Sequence, residues 1–128
     1  MKNVLVFALG DERHALELRW VREIFTLVSL TPVPTAPPIL DGVVNFKGAI
    51  VPVLSLRVHL GQPGRRPPLP GDALVLLDVD GTRVALAVDR IDAVTSQADA
   101  DQAVPLADPA ALVAAARQQI EGARGARA

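Results

Sequence analysis

An internal repeat is the feature that most constrains the fold of this chain. Residues 13–24 and, 70 positions later, residues 83–94 carry apolar side chains at corresponding places. The coinciding pairs are Ala15/Ala85, Leu16/Leu86, Leu18/Val88, Val21/Ile91 and Ile24/Val94. Each copy follows an apolar run and a tight turn, so the repeat predicts two related β-lobes that bury a common core. Hairpins built from Val and Leu also resemble one another by chance, and this alternative stays open.

The first part of the chain predicts a β-hairpin followed by a helix. Residues 4–9 are an apolar run and residues 10–12 supply turn residues. His14, Leu16 and Leu18 then alternate with Arg13, Ala15 and Glu17. Apolar residues then recur at helical spacing, which predicts a short amphipathic helix over residues 19–27.

A proline-rich loop separates this part from a second predicted hairpin. Residues 31–38 contain four prolines and must be extended. Residues 39–45 and 49–56 then predict two strands around a tight turn. Pro52 cannot donate a ladder hydrogen bond, so it indicates an edge or a bulge in the second of these strands.

The last third predicts one more hairpin and a terminal helix. Residues 73–79 and 82–88 flank Asp80-Gly81, a strong two-residue turn signal. Asp108-Pro109 is a good N-cap with a first-turn proline, and it opens a helix that closes near Gly122. The apolar face of this helix consists of Leu112, Val113, Ala116 and Ile120.

These elements predict a single, mainly β domain over residues 1–121. Lobe 1 covers about residues 15–72, and lobe 2 covers about residues 73–107 together with the N-terminal strand. The C-terminal helix spans residues 108–121, and residues 122–128 are expected to form a flexible tail. Only the first copy of the repeat is followed by a further hairpin, so lobe 2 is predicted to be abbreviated, with residues 103–106 as one short strand.

Composition and charge exclude several classes of function. The chain has 128 residues, is 50% apolar, has a formal net charge of −1 and contains no Cys. Disulfides and thiolate chemistry are therefore excluded. The absence of excess positive charge and the scarcity of aromatic residues disfavour nucleic acid as a partner. No apolar run is long enough for a membrane span, so direct membrane insertion is not expected and a cytoplasmic location is the expectation.

No group of residues suggests catalysis or a cofactor. His14 and His59 are far apart in the sequence and have no carboxylate cluster at metal-ligand spacing. A glycine-rich phosphate loop and a nucleophile elbow are both missing. The sequence therefore predicts no catalytic residue, no metal site and no cofactor. Gly48, Asp80 and Gly81 are assigned to structural turns.

One block of sequence resembles a known family. Residues 42–56 resemble the G-V-x-N-L-R-G-x-x-x-P-V-x-D-L signature of the CheW-like chemotaxis adaptor (coupling protein) family. Shorter matches at residues 5–9, 21–24, 31–38 and 84–94 occur in the family's order, so the resemblance covers about residues 4–97. It implies two intertwined SH3-like β-barrels with no active site.

The resemblance also implies partners. Such adaptors bind the cytoplasmic tip of methyl-accepting chemoreceptors and the regulatory domain of a CheA-type histidine kinase, and other CheW-like proteins or a second copy are further expected partners. Recruitment to chemosensory arrays is then expected. The positions that match the family's receptor groove are Val21, Glu23, Gly42, Asn45 and Lys47. A Glu–Arg ion pair of the family would here join Glu23 to Lys47, which keeps the charge but loses the planar fork.

Two departures from the family matter. Ser55 stands where the family usually has Asp, and a hairpin that the family places before its last helix is missing. The missing hairpin leads us to expect that receptor binding persists while kinase coupling is reduced or lost. Two other functions stay open, namely a structural array component that links or blocks adaptor assemblies and a small-molecule-sensing β-barrel module. Self-association without an effect on kinase activity would favour the first, and a ligand-dependent melting shift would favour the second.

Overall fold

The computed structural model describes residues 3–62, 67–97 and 103–125. Its elements, in chain order, are β1 (Asn3–Leu9), β2 (Glu12–Glu17), a 3-10 turn (Leu18–Trp20), β3 (Val21–Thr26), β4 (Leu40–Phe46), β5 (Ala49–Leu54), α1 (Leu56–His59), β6 (Ala73–Val79), β7 (Thr82–Val88), β8 (Arg90–Ser96) and α2 (Pro109–Gly125). The predicted hairpins β1–β2, β4–β5 and β6–β7 are all present. The chain is therefore mainly β, as predicted.

The strands form two sheets of unequal size. The smaller sheet has the order β2-β1-β8, and the larger has the order β3-β6-β7-β5-β4. All neighbours are antiparallel except β5 and β7, which are parallel over Val53 and Leu54. Pro52 lies just outside that parallel pairing, so its missing N–H interrupts no ladder with β7.

Strand register supports the internal repeat. Units β1-β2-β3 and β6-β7-β8 exchange their third strands, so that β3 pairs with β6 and β8 pairs with β1. The pairs on the two sides of the register shift are Val21/Leu77 and Glu23/Leu76 in one unit, and Ile91/Phe7 and Ala93/Val6 in the other. Each of these residues is displaced by 70 positions from its counterpart, and both exchanged pairs have a bulge at the same place. The two units are therefore intertwined copies of one motif.

Strands β6 and β7 separate two apolar cores. Their side chains alternate between the faces of the larger sheet, and both faces are buried, which explains their almost continuous apolar sequence. Val75, Leu77 and Leu86 belong to the larger core, which also contains β1, β2 and α2 residues, and Leu74 and Ala85 belong to the smaller one. Because β6 and β7 pair with β3 and β5, the larger sheet extends beyond the lobe boundary expected at residue 73.

The helix predicted over residues 19–27 is wrong. Only the 3-10 turn Leu18–Trp20 is helical there, and the remainder is strand β3. Alternate β3 residues are half-buried and exposed, which is the burial pattern of a strand with one face on a core. Glu23 occupies the half-buried position between Val21 and Phe25, where a strand would normally have an apolar residue. The apolar residues that remain therefore recur at three- and four-residue spacing, as in a helix.

Strand β5 ends two residues earlier than predicted. Leu56 begins the short helix α1, and the Ser55 hydroxyl caps it by accepting a hydrogen bond from the Val58 N–H at 3.2 Å. Asp and Ser are both preferred N-cap residues, so the departure from the family's Asp preserves the cap.

The terminal helix begins as predicted and ends later. Asp108 Oδ1 accepts a hydrogen bond from the Ala111 N–H at 3.1 Å, and Pro109 is the first helical residue. Helix α2 continues past Gly122 to Gly125, which corrects the predicted helix end. Of the predicted tail, residues 126–128 lie outside the described part of the chain.

Within the described residues the smaller sheet has three strands, as expected for an abbreviated second lobe. Residues 103–106 form a single bridge rather than a strand: the Ala15 N–H donates to the Pro105 carbonyl at 3.0 Å, and the Ala107 N–H donates to the Ala15 carbonyl at 2.8 Å. This contact covers part of the β2 edge. Within the described ranges, β8 has β1 as its one strand neighbour. Helix α2 closes the larger core and does not extend the sheet.

Candidate functional site

The larger sheet is closed by side chains where its two edge strands approach each other. Strands β3 and β4 stand at opposite ends of the sheet order. The rings of Phe25 and Phe46 nevertheless stack across this gap with centroids 4.6 Å apart. We call the line of contact the β3/β4 seam. Side chains, and not backbone hydrogen bonds, close the seam. Substitutions there can therefore alter the surface of the lobe without breaking the hydrogen bonds between paired strands.

An ion pair spans one end of the seam. Lys47 Nζ lies 3.6 Å from Glu23 Oε2, which is the pair expected from the resemblance. The side chains are 73% and 41% exposed, so the pair contributes no more than about 1 kcal/mol to stability. Its charges remain available to a partner.

The β4–β5 turn holds Lys47 in a fixed backbone conformation. Lys47 and Gly48 have φ angles of 49° and 85°, which are the positive values that a type I′ hairpin turn requires. Asn45 Oδ1 accepts a hydrogen bond from the Gly48 N–H at 3.0 Å. Asp80 and Gly81 form the same kind of turn between β6 and β7, with φ angles of 51° and 88°.

An apolar cleft of about 350 Å³ opens beside the seam. We call it the seam cleft. Its lining residues are Phe25, Thr26, Leu27, Val28, Ser29, Thr31, Val44, Asn45, Phe46 and Leu74. Val28 is 81% exposed at its rim. Half-buried aromatic rings next to an exposed aliphatic side chain and an ion pair are features of protein-binding surfaces.

The five residues expected in the receptor groove divide into two groups. Glu23, Asn45 and Lys47 lie together at the end of the seam. Val21 is half-buried against the larger core. Gly42 lies in β4 where a Cβ atom would stand 2.6 Å from the Thr31 carbonyl oxygen. Val21 and Gly42 therefore lie on the same two strands as the seam but outside the cleft lining.

Sequence reasoning missed Phe25, Phe46 and Val28. Two of the three Phe residues of the chain form the stack. The repeat does not point to the two Phe residues, because its first copy ends at Ile24 and the stack joins two strands that share no ladder.

His14 is a buried strand residue. It packs on Phe7 with ring centroids 5.8 Å apart, and its side chain is 3% exposed. Burial lowers the pKa of His14 below its usual 6.5, and the Arg57 guanidinium adds to this effect while the Glu12 carboxylate opposes it. Among the described residues no cluster of three or more His, Asp or Glu side chains could hold a metal ion.

The lowered pKa of His14 predicts a pH-dependent stability. The unfolded chain binds a proton near pH 6.5 that the folded chain binds less readily, so the free energy of unfolding should fall as the pH decreases through 6.5. This part of the stability is fully present above pH 6.5. Urea unfolding from about pH 8 to about pH 5 measures it.

His14→Gln should reduce the pH dependence of the free energy of unfolding, whatever its effect on the stability at one pH. His59→Gln is the matched control, because His59 is the other His of the chain and is only half-buried. Parallel pH profiles for the wild type and His14→Gln would contradict the assignment.

Comparisons with known proteins agree with the fold. The chain has the architecture of a protein with two intertwined β-lobes. The family model described as CheW-like domain matches residues 3–123. The chain therefore belongs to the CheW-like domain family. Among the helices of the described ranges, none has the length and apolarity needed to cross a membrane.

Individual relatives are named as chemotaxis proteins. The chemotaxis protein CheW of Rhizobium meliloti is 28% identical over 100 residues, which cover 78% of this chain and 64% of the relative. The corresponding protein of Klebsiella aerogenes is 35% identical over 63 residues, covering 49% of this chain and 38% of the relative. The chain thus spans less than two thirds of the length of these curated relatives.

A solved structure is also similar. The scaffolding protein TtCheW from Thermoanaerobacter tengcongensis superimposes with a TM-score of 0.66 at 28% identity, covering 76% of this chain and 67% of that protein. This similarity supports the description of the two sheets as SH3-like lobes.

Proposed function

We propose that this chain is a non-catalytic scaffold of a bacterial chemosensory array and binds the cytoplasmic tip of a chemoreceptor through the β3/β4 seam. The relatives named above are a chemotaxis protein and a scaffolding protein. The observation that carries the proposal is the exposed Glu23–Lys47 pair beside the apolar seam cleft. The protein would then act in the cytoplasm and be recruited to arrays by its partners.

The seam offers the two kinds of contact that a helical partner needs. Apolar side chains of a helix can enter the cleft between Phe46 and Val28, where desolvation supplies affinity. The paired charges at the end of the cleft then set the orientation of the helix. Lys47 Nζ also stands 5.1 Å from the centroid of the Phe46 ring, so the charge and the apolar surface adjoin.

Lys47→Glu is expected to weaken binding of a receptor-tip fragment about fivefold, because it places like charges across the seam and removes the cation. Folding should be unaffected, since the Lys47 side chain is 73% exposed. Isothermal titration calorimetry measures the affinity, and circular dichroism checks the fold.

Two controls separate the seam from net charge. Arg117→Glu makes the same charge change at an exposed position of α2 and should bind normally. The exchange Glu23→Lys with Lys47→Glu restores opposite charges and should recover part of the affinity. Equal affinities for the wild type and Lys47→Glu would show that the receptor tip does not use the seam.

Kinase coupling is proposed to be reduced, because the smaller sheet has three strands in the part of the chain that the structure describes, where the family resemblance implies a fuller lobe. The chain should bind the regulatory domain of a CheA-type kinase at least about tenfold more weakly than a longer family member does, a difference of about 1.4 kcal/mol. Side-by-side pulldown and calorimetry measure this difference.

The receptor-tip fragment serves as the internal control, because its binding should persist. Kinase affinity comparable to that of the longer protein would contradict the proposed loss. Weak binding to both partners would instead argue against the adaptor function itself.

A further inference from the structure

A second cleft, separate from the seam, lies where the β1–β2 hairpin, α1 and residues 105–108 meet. Its volume is about 340 Å³, and the residues that matter for its chemistry are Glu12, His14, Leu60, Gln62, Leu106 and Asp108. Residues 105–108 form the outer wall of this cleft. Two backbone hydrogen bonds between Ala15 and residues 105–107 hold this wall against β2. This volume is in the range of small-molecule sites.

The cleft contains a buried polar atom without a hydrogen-bond partner. His14 is 3% exposed, and its Nε2 has no hydrogen bond within the described ranges. Glu12 Oε2 lies 3.5 Å from this nitrogen, and that oxygen accepts a hydrogen bond from Gln62 Nε2. An unsatisfied buried nitrogen costs free energy, so a ligand group that bonded it would gain affinity.

The lining combines negatively charged side chains with an apolar wall. Glu12 and Asp108 contribute carboxylates, and the described lining residues include no Lys or Arg. Arg57, the cation that acts on His14, is largely buried and lies 3.6 Å from Asp89. Leu60 and Leu106 are 48% and 44% exposed, although both are large aliphatic side chains. The complement of such a lining is a cation with an apolar body.

We propose that this cleft binds a small organic primary ammonium group. The ammonium donates N–H bonds to His14 Nε2 and to the Glu12 carboxylate, and the aliphatic body of the ligand covers Leu60 and Leu106. In the His14 tautomer that carries its proton on Nδ1, Nε2 is the acceptor that this arrangement requires. The proposal is independent of receptor binding at the seam.

The burial of His14 is consistent with this role. Since burial lowers its pKa, the imidazole is predominantly neutral at pH 7 and keeps an acceptor lone pair. A charged imidazolium would instead repel an ammonium ion.

The test is a titration of the full ¹⁵N-labelled chain with n-pentylammonium, pentan-1-ol and pentanoate, followed by amide chemical shifts at neutral pH. Pentylammonium should shift the amides of Glu12, His14 and residues 106–108 and should bind at least fivefold more tightly than either matched probe. Glu12→Gln, an exposed substitution, should weaken pentylammonium binding at least fivefold. Leu60→Ser should weaken all probes that bind by their alkyl chains.

Three results would overturn the proposal: no shifts at the cleft with pentylammonium, equal affinity for the alcohol, or unchanged affinity in Glu12→Gln. Nα-acetyl-lysine methylamide, titrated in parallel, distinguishes the source of the ammonium group. Tighter binding of this probe than of pentylammonium assigns the site to a lysine side chain of another protein, and weaker binding assigns it to a free amine.

Discussion

Gly42→Ala is expected to destabilise the domain by about 2–4 kcal/mol, a large part of the stability of a typical small domain. Gly42 has a φ angle of 153°, and a Cβ atom would stand 2.6 Å from the Thr31 carbonyl oxygen. Thr31 cannot move away freely, because it exchanges two backbone hydrogen bonds with Val43 at 2.9 and 2.8 Å. The substitution must therefore strain β4 or break this bridge, which holds the segment after β3 against the edge of the sheet.

Gly48→Ala is the matched control. Gly48 also has a positive φ, of 85°, but a Cβ atom there would meet nothing within 4 Å. Its cost is backbone strain alone, about 1 kcal/mol. Urea unfolding of both variants measures the difference. Equal destabilisation of the two variants would show that the contact with Thr31 is not the reason that position 42 requires glycine. Any loss of receptor binding by Gly42→Ala should be corrected for the fraction of the variant that is folded.

The repeat made most of the fold predictable. Two hairpins and a shared core follow from apolar positions that coincide after 70 residues. The exchange of β3 and β8 between the two units could not be deduced in the same way, because either third strand could have paired within its own unit. The partners of β3 and β8 depend on how both faces of β6 and β7 pack. A local sequence pattern contains no information about that packing.

Residue Glu23 explains why the sequence of β3 predicts a helix. A strand with one face on a core should place apolar side chains at alternate positions, and Glu23 takes one of these positions between Val21 and Phe25. The remaining apolar residues then imitate helical spacing. The residue that breaks the pattern is the one that pairs with Lys47, and local sequence rules commonly fail where a residue has a role of the kind proposed for this pair.

The candidate site was predictable only in part. Asn45, Lys47 and Gly48 lie in one contiguous block, so their shared turn followed from the sequence. The Phe25–Phe46 stack joins residues 21 positions apart on two strands that share no ladder, and it needed the three-dimensional closure of the sheet. The buried environment of His14 likewise depends on residues 105–108, which come from the other end of the chain.

Leu112→Ala is expected to destabilise the domain by about 3–4 kcal/mol, because it removes a buried side chain and leaves a cavity. Leu112 is 1% exposed and lies in the larger core together with Val113 and Ala116 of α2. This core also contains residues of both sheets, so α2 closes the space between them. If α2 replaces part of a fuller second lobe, its contacts should be as important to stability as those of a strand.

Leu69→Ala is the control, since it makes the same chemical change at a side chain that is 51% exposed. It should cost less than about 1 kcal/mol. Denaturant unfolding gives both values, and amide hydrogen exchange shows whether α2 opens together with β1 and β6 or separately. A cost for Leu112→Ala as small as that for Leu69→Ala, with early exchange confined to α2, would mean that the helix is an appended element and that the two sheets form a stable core without it.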